Sequence, residues 1–473
     1  MVRLIPSLLA MATVLGGVIG CSAHQPPTPA SGCRQLDAFL KWHHGVREFL
    51  QSAIDANSRC TGTADGSARK VAIFDWDNTV VKNDIGYATN YYMLQHSLVL
   101  QPANQDWHAA SRYLTDAAAN ALSVACGKVV PAGKPLPTGS NALCANEILS
   151  LLDGETTTGQ PAFVGNNVRR LAGPYAWSNA LSAGYTAEEL AGFADQAKKQ
   201  NLAADVGATQ QVGTQQVDGY IRVYPQMKDL IGTLQAHGID TWVVSASPEP
   251  IVKVWAGEVG LDDQHVVGVR SVADQSGKLT AHLVGCGGVR DGDDSVMTYL
   301  DGKRCWANQV IFGVTGPQAF NQLAADRRQV LAAGDSNSDA TFVGDATVVS
   351  LVINRNQDDL MCRAYDGLFT RGGKWAINPM FIDPLPQHAP YVCGEAFINP
   401  DGSKQPVLRN DGTPIPDQVD SVFGLLNQAP GTPQGRLRRP SARAVRPGID
   451  LDRLRARPAS ARCRVRYRRL AAP

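Results

Sequence analysis

Apolar residues along this chain fall into two rhythms. Short unbroken runs (Val71-Ala72-Ile73-Phe74, Thr241-Trp242-Val243-Val244, Gln329-Val330-Leu331-Ala332-Ala333 and Val348-Val349-Ser350-Leu351-Val352-Ile353) read as strands buried on both faces, as parallel sheets require. Elsewhere apolar positions recur at helical spacing. Gln35 to Ala56, with Leu36, Phe39, Leu40, Val46, Phe49 and Leu50, predicts a helix ahead of the first run. From Gly86 to about Gly219 the pattern is mostly helical, through Tyr91-Tyr92-Met93-Leu94, Trp107 to Leu122, Glu147 to Leu152 and Ala187 to Leu202, and holds no convincing parallel strand. Tyr224-Pro225 opens a further helix that runs through Leu230 and Leu234 to a capping Gly238. Ser247-Pro248-Glu249 predicts another helix start, with an N-cap serine, a first-turn proline and an early acid. His265 to Leu283 alternates like a hairpin around Asp274-Gln275-Ser276-Gly277. Strands alternating with helices predict an α/β chain, a doubly wound parallel sheet interrupted by one large helical insertion.

The ends differ from the body. Arg3 precedes an apolar run, Leu8 to Leu15, that closes on Val18-Ile19-Gly20-Cys21; this has the form of a signal peptide with a bacterial lipobox, and predicts cleavage before Cys21 and lipidation of its thiol. His24 to Ser31, rich in Pro and Ala, reads as a tether. From Gly435 onward the chain has thirteen Arg, no Lys and two Asp, with too few large apolar residues for a core, and is expected to be disordered. Two origins stay open for this tail: a basic arm that touches anionic lipid or polymer, or a frameshifted reading of GC-rich coding sequence.

That tail conceals the character of the rest. The formal net charge is +1, but Met1 to Gln434 holds 31 basic against 41 acidic residues, which argues against nucleic acid as a partner. A charged content of 18% and an apolar content of 44% fit an ordinary globular protein. Ten cysteines fit an exported one. Without Cys21 and the tail's Cys463, eight remain (Cys33, Cys60, Cys126, Cys144, Cys286, Cys305, Cys362 and Cys393), and pairing of neighbours is the simplest of their 105 connectivities. None forms a CxxC or a Cys/His cluster, which argues against structural zinc.

The chemistry concentrates where the strand runs stop. Val71 to Phe74 ends on Asp75-Trp76-Asp77-Asn78-Thr79, and the period of two in extended chain sends both carboxylates to one side, with Trp76 packing on the other. Two like charges so close require a cation or a shared proton. The second run ends at Ser245, Lys303 follows in Gly302-Lys303, and the third run ends in Gly334-Asp335-Ser336-Asn337-Ser338-Asp339. In open α/β sheets the carboxyl ends of strands are where ligands bind. Asp84 and Asp345 read as surface or flap residues, and Lys278 as a solvated lysine on a hairpin turn.

This ordered set resembles the haloacid dehalogenase (HAD) superfamily of phosphatases: Asp75-Trp76-Asp77-Asn78-Thr79 is similar to its first motif, Ser245 to its second, Lys303 to its third, and Gly334-Asp335 with Asp339 to its fourth. The layout from Tyr224 to Arg355 looks most like the phosphoserine phosphatase branch and, within it, secreted phosphorylcholine phosphatases. The resemblance implies a Rossmann-like core over residues 67–85 and 220–371, with residues 86–219 as a helical cap. Residues 1–21 are then the signal peptide with its lipobox, 22–66 tether and N-terminal helix, 372–430 a C-terminal extension anchored by Cys393, and 431–473 the Arg-rich disordered tail.

It further implies Mg²⁺ as cofactor, with Asp75, Asp77, Asp335 and Asp339 as the metal set. Asp75 would be nucleophile and Asp77 general acid and base, with Ser245, Lys303, Asn78 and Thr79 on the phosphate. The implied protein is an exported, lipid-anchored phosphomonoester phosphatase acting through an aspartyl-phosphate on a small metabolite. Phosphocholine is one candidate substrate that the resemblance suggests, for whose cationic head Tyr91, Tyr92, Trp107, Tyr113, Tyr175 and Trp177 are aromatic candidates. The alternatives are a phosphotransferase of the same fold and a non-catalytic lipoprotein that binds a phosphorylated ligand; retention of both Asp75 and Asp77 favours catalysis.

Overall fold

The computed structural model describes residues 32–62 and 69–424; the expected signal peptide, Cys21, the tether before Gly32 and the Arg-rich tail lie outside the described residues. In chain order the principal elements begin with α1 (Val46–Ala56), β1 (Val71–Phe74) and β2 (Val81–Lys82). The helical block follows: α2 (Ile85–Gln95), α3 (Asp116–Cys126), α4 (Ala142–Ser150), α5 (Gly173–Ala180) and α6 (Ala187–Ala203). Next come β3 (Thr209–Val212), β4 (Gln215–Asp218), β5 (Arg222–Val223), α7 (Pro225–Ala236), β6 (Asp240–Pro248), α8 (Glu249–Ala256), β7 (Val266–Val269), β8 (Ser271–Ala273) and β9 (Leu279–Leu283). The chain closes with α9 (Asp301–Val310), β10 (Leu331–Gly334), α10 (Ala340–Asp345), β11 (Val349–Asn354), α11 (Asp358–Asp366), β12 (Trp375–Pro379), β13 (Phe397–Ile398) and β14 (Lys404–Gln405).

Six strands form one parallel sheet in the order β12-β11-β10-β1-β6-β7. Its strands are buried on both faces, which explains their unbroken apolar runs. Alternate residues of β1 enter opposite cores. Ala72 and Phe74 pack with α1, α7, α8 and the helical block; Val71 and Ile73 pack with α9, α10, α11 and the C-terminal segment. This is the doubly wound α/β architecture that the strand and helix alternation predicts.

Four local expectations need correction. The helix expected over Gln35 to Ala56 starts only at Val46, behind Gly45 in the left-handed region at φ 74°. The apolar spacing before it is accidental, since Leu36 is buried but Phe39 is 93% exposed. Val266–Val269 is no hairpin arm but the sheet's edge strand; the hairpin is β8 with β9 alone. The helical block also contains an antiparallel hairpin, β3 with β4, whose polar sequence gives no strand signal. Finally, a core ending at residue 371 would cut off β12, the outermost strand of the sheet, which pairs with β11 over five residues.

Beyond β12 the chain makes small hairpins, with turns at Asp401-Gly402 and Asp411-Gly412 as expected. The eight cysteines among the described residues pair with their neighbours, Cys33–Cys60, Cys126–Cys144, Cys286–Cys305 and Cys362–Cys393. No helix of the described residues is long and apolar enough to cross a membrane.

Candidate active site

The site lies at the carboxyl ends of the three central strands. β1 sits between β6 and β10, so Asp75 and Asp335, each just past a strand end, and Ser245, on β6 two residues beyond its pairing with β1, meet at one rim of the sheet. The backbone amide of Asp75 donates to Ala333 O at 2.9 Å, which carries the parallel ladder up to the carboxylate. Lys303 arrives from outside the sheet, on the first turn of α9. Its side chain is 0% exposed, and its Nζ donates to Asp75 Oδ1 and to Asp339 Oδ1, each at 2.5 Å. A fully buried lysine exists only where charges of opposite sign surround it. Burial opposes its charge, but Asp339 and Asp75 more than offset that, and its pKa is raised.

Asp339 organises the loop after β10. Its Oδ2 accepts from the amides of Asp335 and Ser336 at 3.0 Å each, and Ser338 Oγ donates to Oδ1 at 3.2 Å. Gly334 permits this approach, because a Cβ there would lie 2.5 Å from the Asp339 Cβ. Arg355, just past β11, donates from Nη1 to Asp335 Oδ2 at 2.7 Å. Thr79, fully buried, donates from Oγ1 to Asp335 Oδ1 at 2.9 Å and to Asp75 Oδ2 at 3.2 Å.

Asp75, Asp335 and Asp339 offer carboxylate oxygens that all lie within 4.8 Å of one another, and all three residues are buried. Burial, then the charge of Asp339, pushes the Asp75 pKa well above the usual carboxylate range against the pull of Lys303; burial also raises Asp335 despite Arg355. The pocket therefore has more negative charge than its two cationic side chains balance. An all-oxygen donor set short of positive charge fits a hard divalent cation such as Mg²⁺. Asp75 Oδ2 and Asp335 Oδ1 share the single hydroxyl of Thr79 and have lone pairs left to hold one, whereas Asp339 takes Lys303 on Oδ1 and two backbone amides on Oδ2.

Asp77 does not join this group. Its Oδ1 accepts from the amide of Ile85 at 2.8 Å, at the start of α2; its Oδ2 accepts from Ser247 Oγ at 2.7 Å and from Ser245 Oγ at 3.4 Å. Burial and then the nearby charge of Asp84 push its pKa well up. Its expected place in the metal set is thus corrected: the carboxylate turns away, towards hydroxyls and a helix end.

The side chains of Thr79 and Asn78, expected on the phosphate, are also engaged otherwise. Thr79 serves the two carboxylates, and Asn78, in the left-handed region at φ 60°, accepts from the amide of Asn83 at 3.0 Å and staples the turn after the aspartates. Trp76 is fully buried, on the packing side.

Ser247 and Arg355 are the site residues that sequence reasoning missed. Ser247 is not a helix cap: α8 begins after Pro248 with no side-chain cap, and the Ser247 hydroxyl faces Asp77 instead. Asp345 is not a surface residue, whereas Asp84 is half-buried at the start of the helical block. Asp345 is buried against Arg304 and Gln322. Asp84 caps α2 by accepting from the amide of Tyr87 at 2.8 Å, and burial raises its pKa to about 6. Lys278 is exposed on its turn as expected.

Of the aromatic candidates, Trp107 and Trp177 pack on each other and Tyr92 stacks on His96. Tyr175 instead stands beside Asp84, in a row of rings Tyr91–Tyr87–Tyr175–Tyr299 with centroids 6.3, 6.1 and 5.9 Å apart.

Residues 176–343 match the haloacid dehalogenase-like hydrolase family, a span that takes in Ser245, Lys303, Asp335 and Asp339 and begins after Asp75. Among solved structures, a conserved protein of unknown function from Anaerococcus prevotii is similar at 18% identity over 73% of this chain and 94% of that one, with a TM-score of 0.52, a likeness of fold. A substrate-bound phosphoserine phosphatase matches at 14% identity over 60% of this chain and 86% of its own, with a TM-score of 0.27. None of the curated proteins matches.

Proposed function

We propose that this chain, whose residues 176–343 match the haloacid dehalogenase-like hydrolase family, is a phosphomonoester phosphatase that works through an aspartyl-phosphate on Asp75. The observation that carries the reading is the fully buried Lys303 held between Asp75 and Asp339 at the ends of the central strands. A lysine there leaves the attacking carboxylate in place and offers positive charge to an incoming phosphate dianion. A divalent cation held by Asp75 and Asp335 would add screening between that dianion and the carboxylate.

The residues then divide the work. An Asp75 oxygen bonds to phosphorus as the ester oxygen leaves in line. The leaving oxygen takes a proton from Asp77, and the same carboxylate later accepts one from the water that cleaves the aspartyl-phosphate. On this reading the exchangeable proton sits on Asp77 Oδ2, since the Ile85 amide can only donate and keeps Oδ1 an acceptor. The Ser245 hydroxyl accepts from the Ser247 amide but donates only weakly, at 3.4 Å, so its hydrogen is free to turn onto a phosphoryl oxygen. The test is phosphate release from a panel of monoesters, with Mg²⁺ and after chelation, by the wild type and Asp75→Asn. No release from any ester refutes the reading.

The finer reading is a small monoester with a cationic leaving group such as phosphocholine. It is supported by Asp84, which has no salt-bridge partner within 4 Å among the described residues, next to the ring row of Tyr91, Tyr87, Tyr175 and Tyr299. Phosphocholine must then exceed phosphoethanolamine, phosphoserine and an aryl phosphate in kcat/KM by about tenfold, near 1.4 kcal/mol. The Val18-Ile19-Gly20-Cys21 pattern supports export and a lipid anchor at Cys21, which mass spectrometry of the mature N-terminus tests.

A further inference from the structure

Two serines two residues apart on β6 face the same carboxylate oxygen, yet their engagement differs. Ser245 Oγ stands 3.4 Å from Asp77 Oδ2 and accepts from the amide of Ser247 at 3.1 Å; Ser247 Oγ donates to Asp77 Oδ2 at 2.7 Å. The other oxygen of Asp77 is held by the Ile85 amide at 2.8 Å. Asp77 is thereby gripped from two sides, by the core strand through Ser247 and by the first helix of the helical block through Ile85. The packing leaves this hydroxyl little freedom: Ser247 is buried, and a Cβ on Gly86 would come within 2.7 Å of its Oγ.

We infer that Ser247 is a positioning residue for proton transfer, which fixes the plane of the Asp77 carboxylate so that Oδ2 points at the ester oxygen. The inference rests on the phosphatase reading above. A hydroxyl suits the task because it can donate to a lone pair of Oδ2 whether the carboxylate is ionised or carries its proton, and so holds the group while leaving that proton to the ester oxygen. A carboxylate without that contact keeps the Ile85 amide and the long 3.4 Å contact from Ser245, and turns more freely about the amide. Proton delivery to a poor leaving group suffers most, because an activated aryl leaving group departs with little protonation.

The experiment compares Ser247→Ala with wild type on an alkyl phosphate and on 4-nitrophenyl phosphate. The expected result is a kcat/KM at least about tenfold lower on the alkyl ester and within about threefold of wild type on the aryl ester. Gly86→Ala keeps the serine but pushes its Oγ off Asp77, and should give the same leaving-group signature; it also serves if Ser247→Ala does not fold. Equal losses on both esters in Ser247→Ala, or a wild-type ratio in Gly86→Ala, overturn the inference while a working wild type keeps the phosphatase reading. A wild type inactive on every ester overturns both.

Discussion

Replacing Lys303 by Met keeps most of the buried stem and deletes the charge. Lys303 is fully buried, and its Nζ donates at 2.5 Å to Asp75 and to Asp339, which are 7% and 0% exposed through their side chains. The variant leaves two carboxylates in the core with no cation on either of those oxygens. Removal of one partner from a buried ion pair costs about 3–5 kcal/mol, mostly as the penalty on the group left behind. The volume change adds little, as Met follows the lysine chain. The expected loss at pH 7.5 is therefore about 3–5 kcal/mol.

The loss should also depend on pH. The Asp75 pKa already stands above its usual value through burial and Asp339, and Lys303 is a force that lowers it. Without Lys303 it rises further. A carboxyl whose folded pKa exceeds its unfolded value stabilises the fold below the unfolded value, near 3.9, and loses that contribution as pH rises through the folded one. The deficit of Lys303→Met should thus shrink between pH 7.5 and pH 5. Urea unfolding of the metal-free, disulfide-intact protein, followed by tryptophan fluorescence, measures it at both values. A deficit under about 1 kcal/mol at pH 7.5, the range of exposed pairs, or one that does not change at pH 5, would refute the argument. Turnover on the same variant should fall by about 10²–10³, as for loss of a preorganised charge donor.

Asp75→Asn should abolish phosphate release with circular dichroism unchanged; turnover near the wild-type rate would remove Asp75 as nucleophile. Asp84 ionises near pH 6, so the ratio of kcat/KM for a cationic to a neutral monoester should climb as pH rises through about 6, and Asp84→Asn should flatten that climb. A flat wild-type ratio would separate Asp84 from the leaving group. Arg355→Gln removes a positive charge from Asp335, so calorimetric binding of Mn²⁺ or Mg²⁺ should tighten by several-fold to about tenfold; weaker binding would mean that Arg355 organises the carboxylate rather than competing for it.

The core was legible because a strand buried on both faces writes itself as an apolar run, and the acidic residues that stop such a run stand out. Asp75, Ser245 and Asp335 all sit at such stops. Ser247 was not legible, because Ser-Pro-Glu is also how a helix begins, and only the position of Asp77, 170 residues away in sequence, decides between the two. Arg355 has the same difficulty: its meaning lies in Asp335 on a neighbouring strand. The spacing of Leu36, Phe39 and Leu40 misled in the opposite sense, since three apolar residues at helical intervals need no helix when one of them faces water. β12 ends on a proline and follows the last recognisable motif, so no local feature ties it to the sheet.

The four disulfides each join consecutive cysteines, 18 to 31 residues apart, whereas β1 must find β6 and β10 across far longer stretches of chain. A chain oxidised from its amino end as it emerges, counted from Cys33, would present each cysteine with its native partner as the next one to appear. Random pairing among 105 arrangements never arises under such vectorial oxidation, and no reshuffling is needed afterwards. The slow search is left to the sheet, whose central strand waits for chain more than two hundred and fifty residues downstream before both its edges are covered.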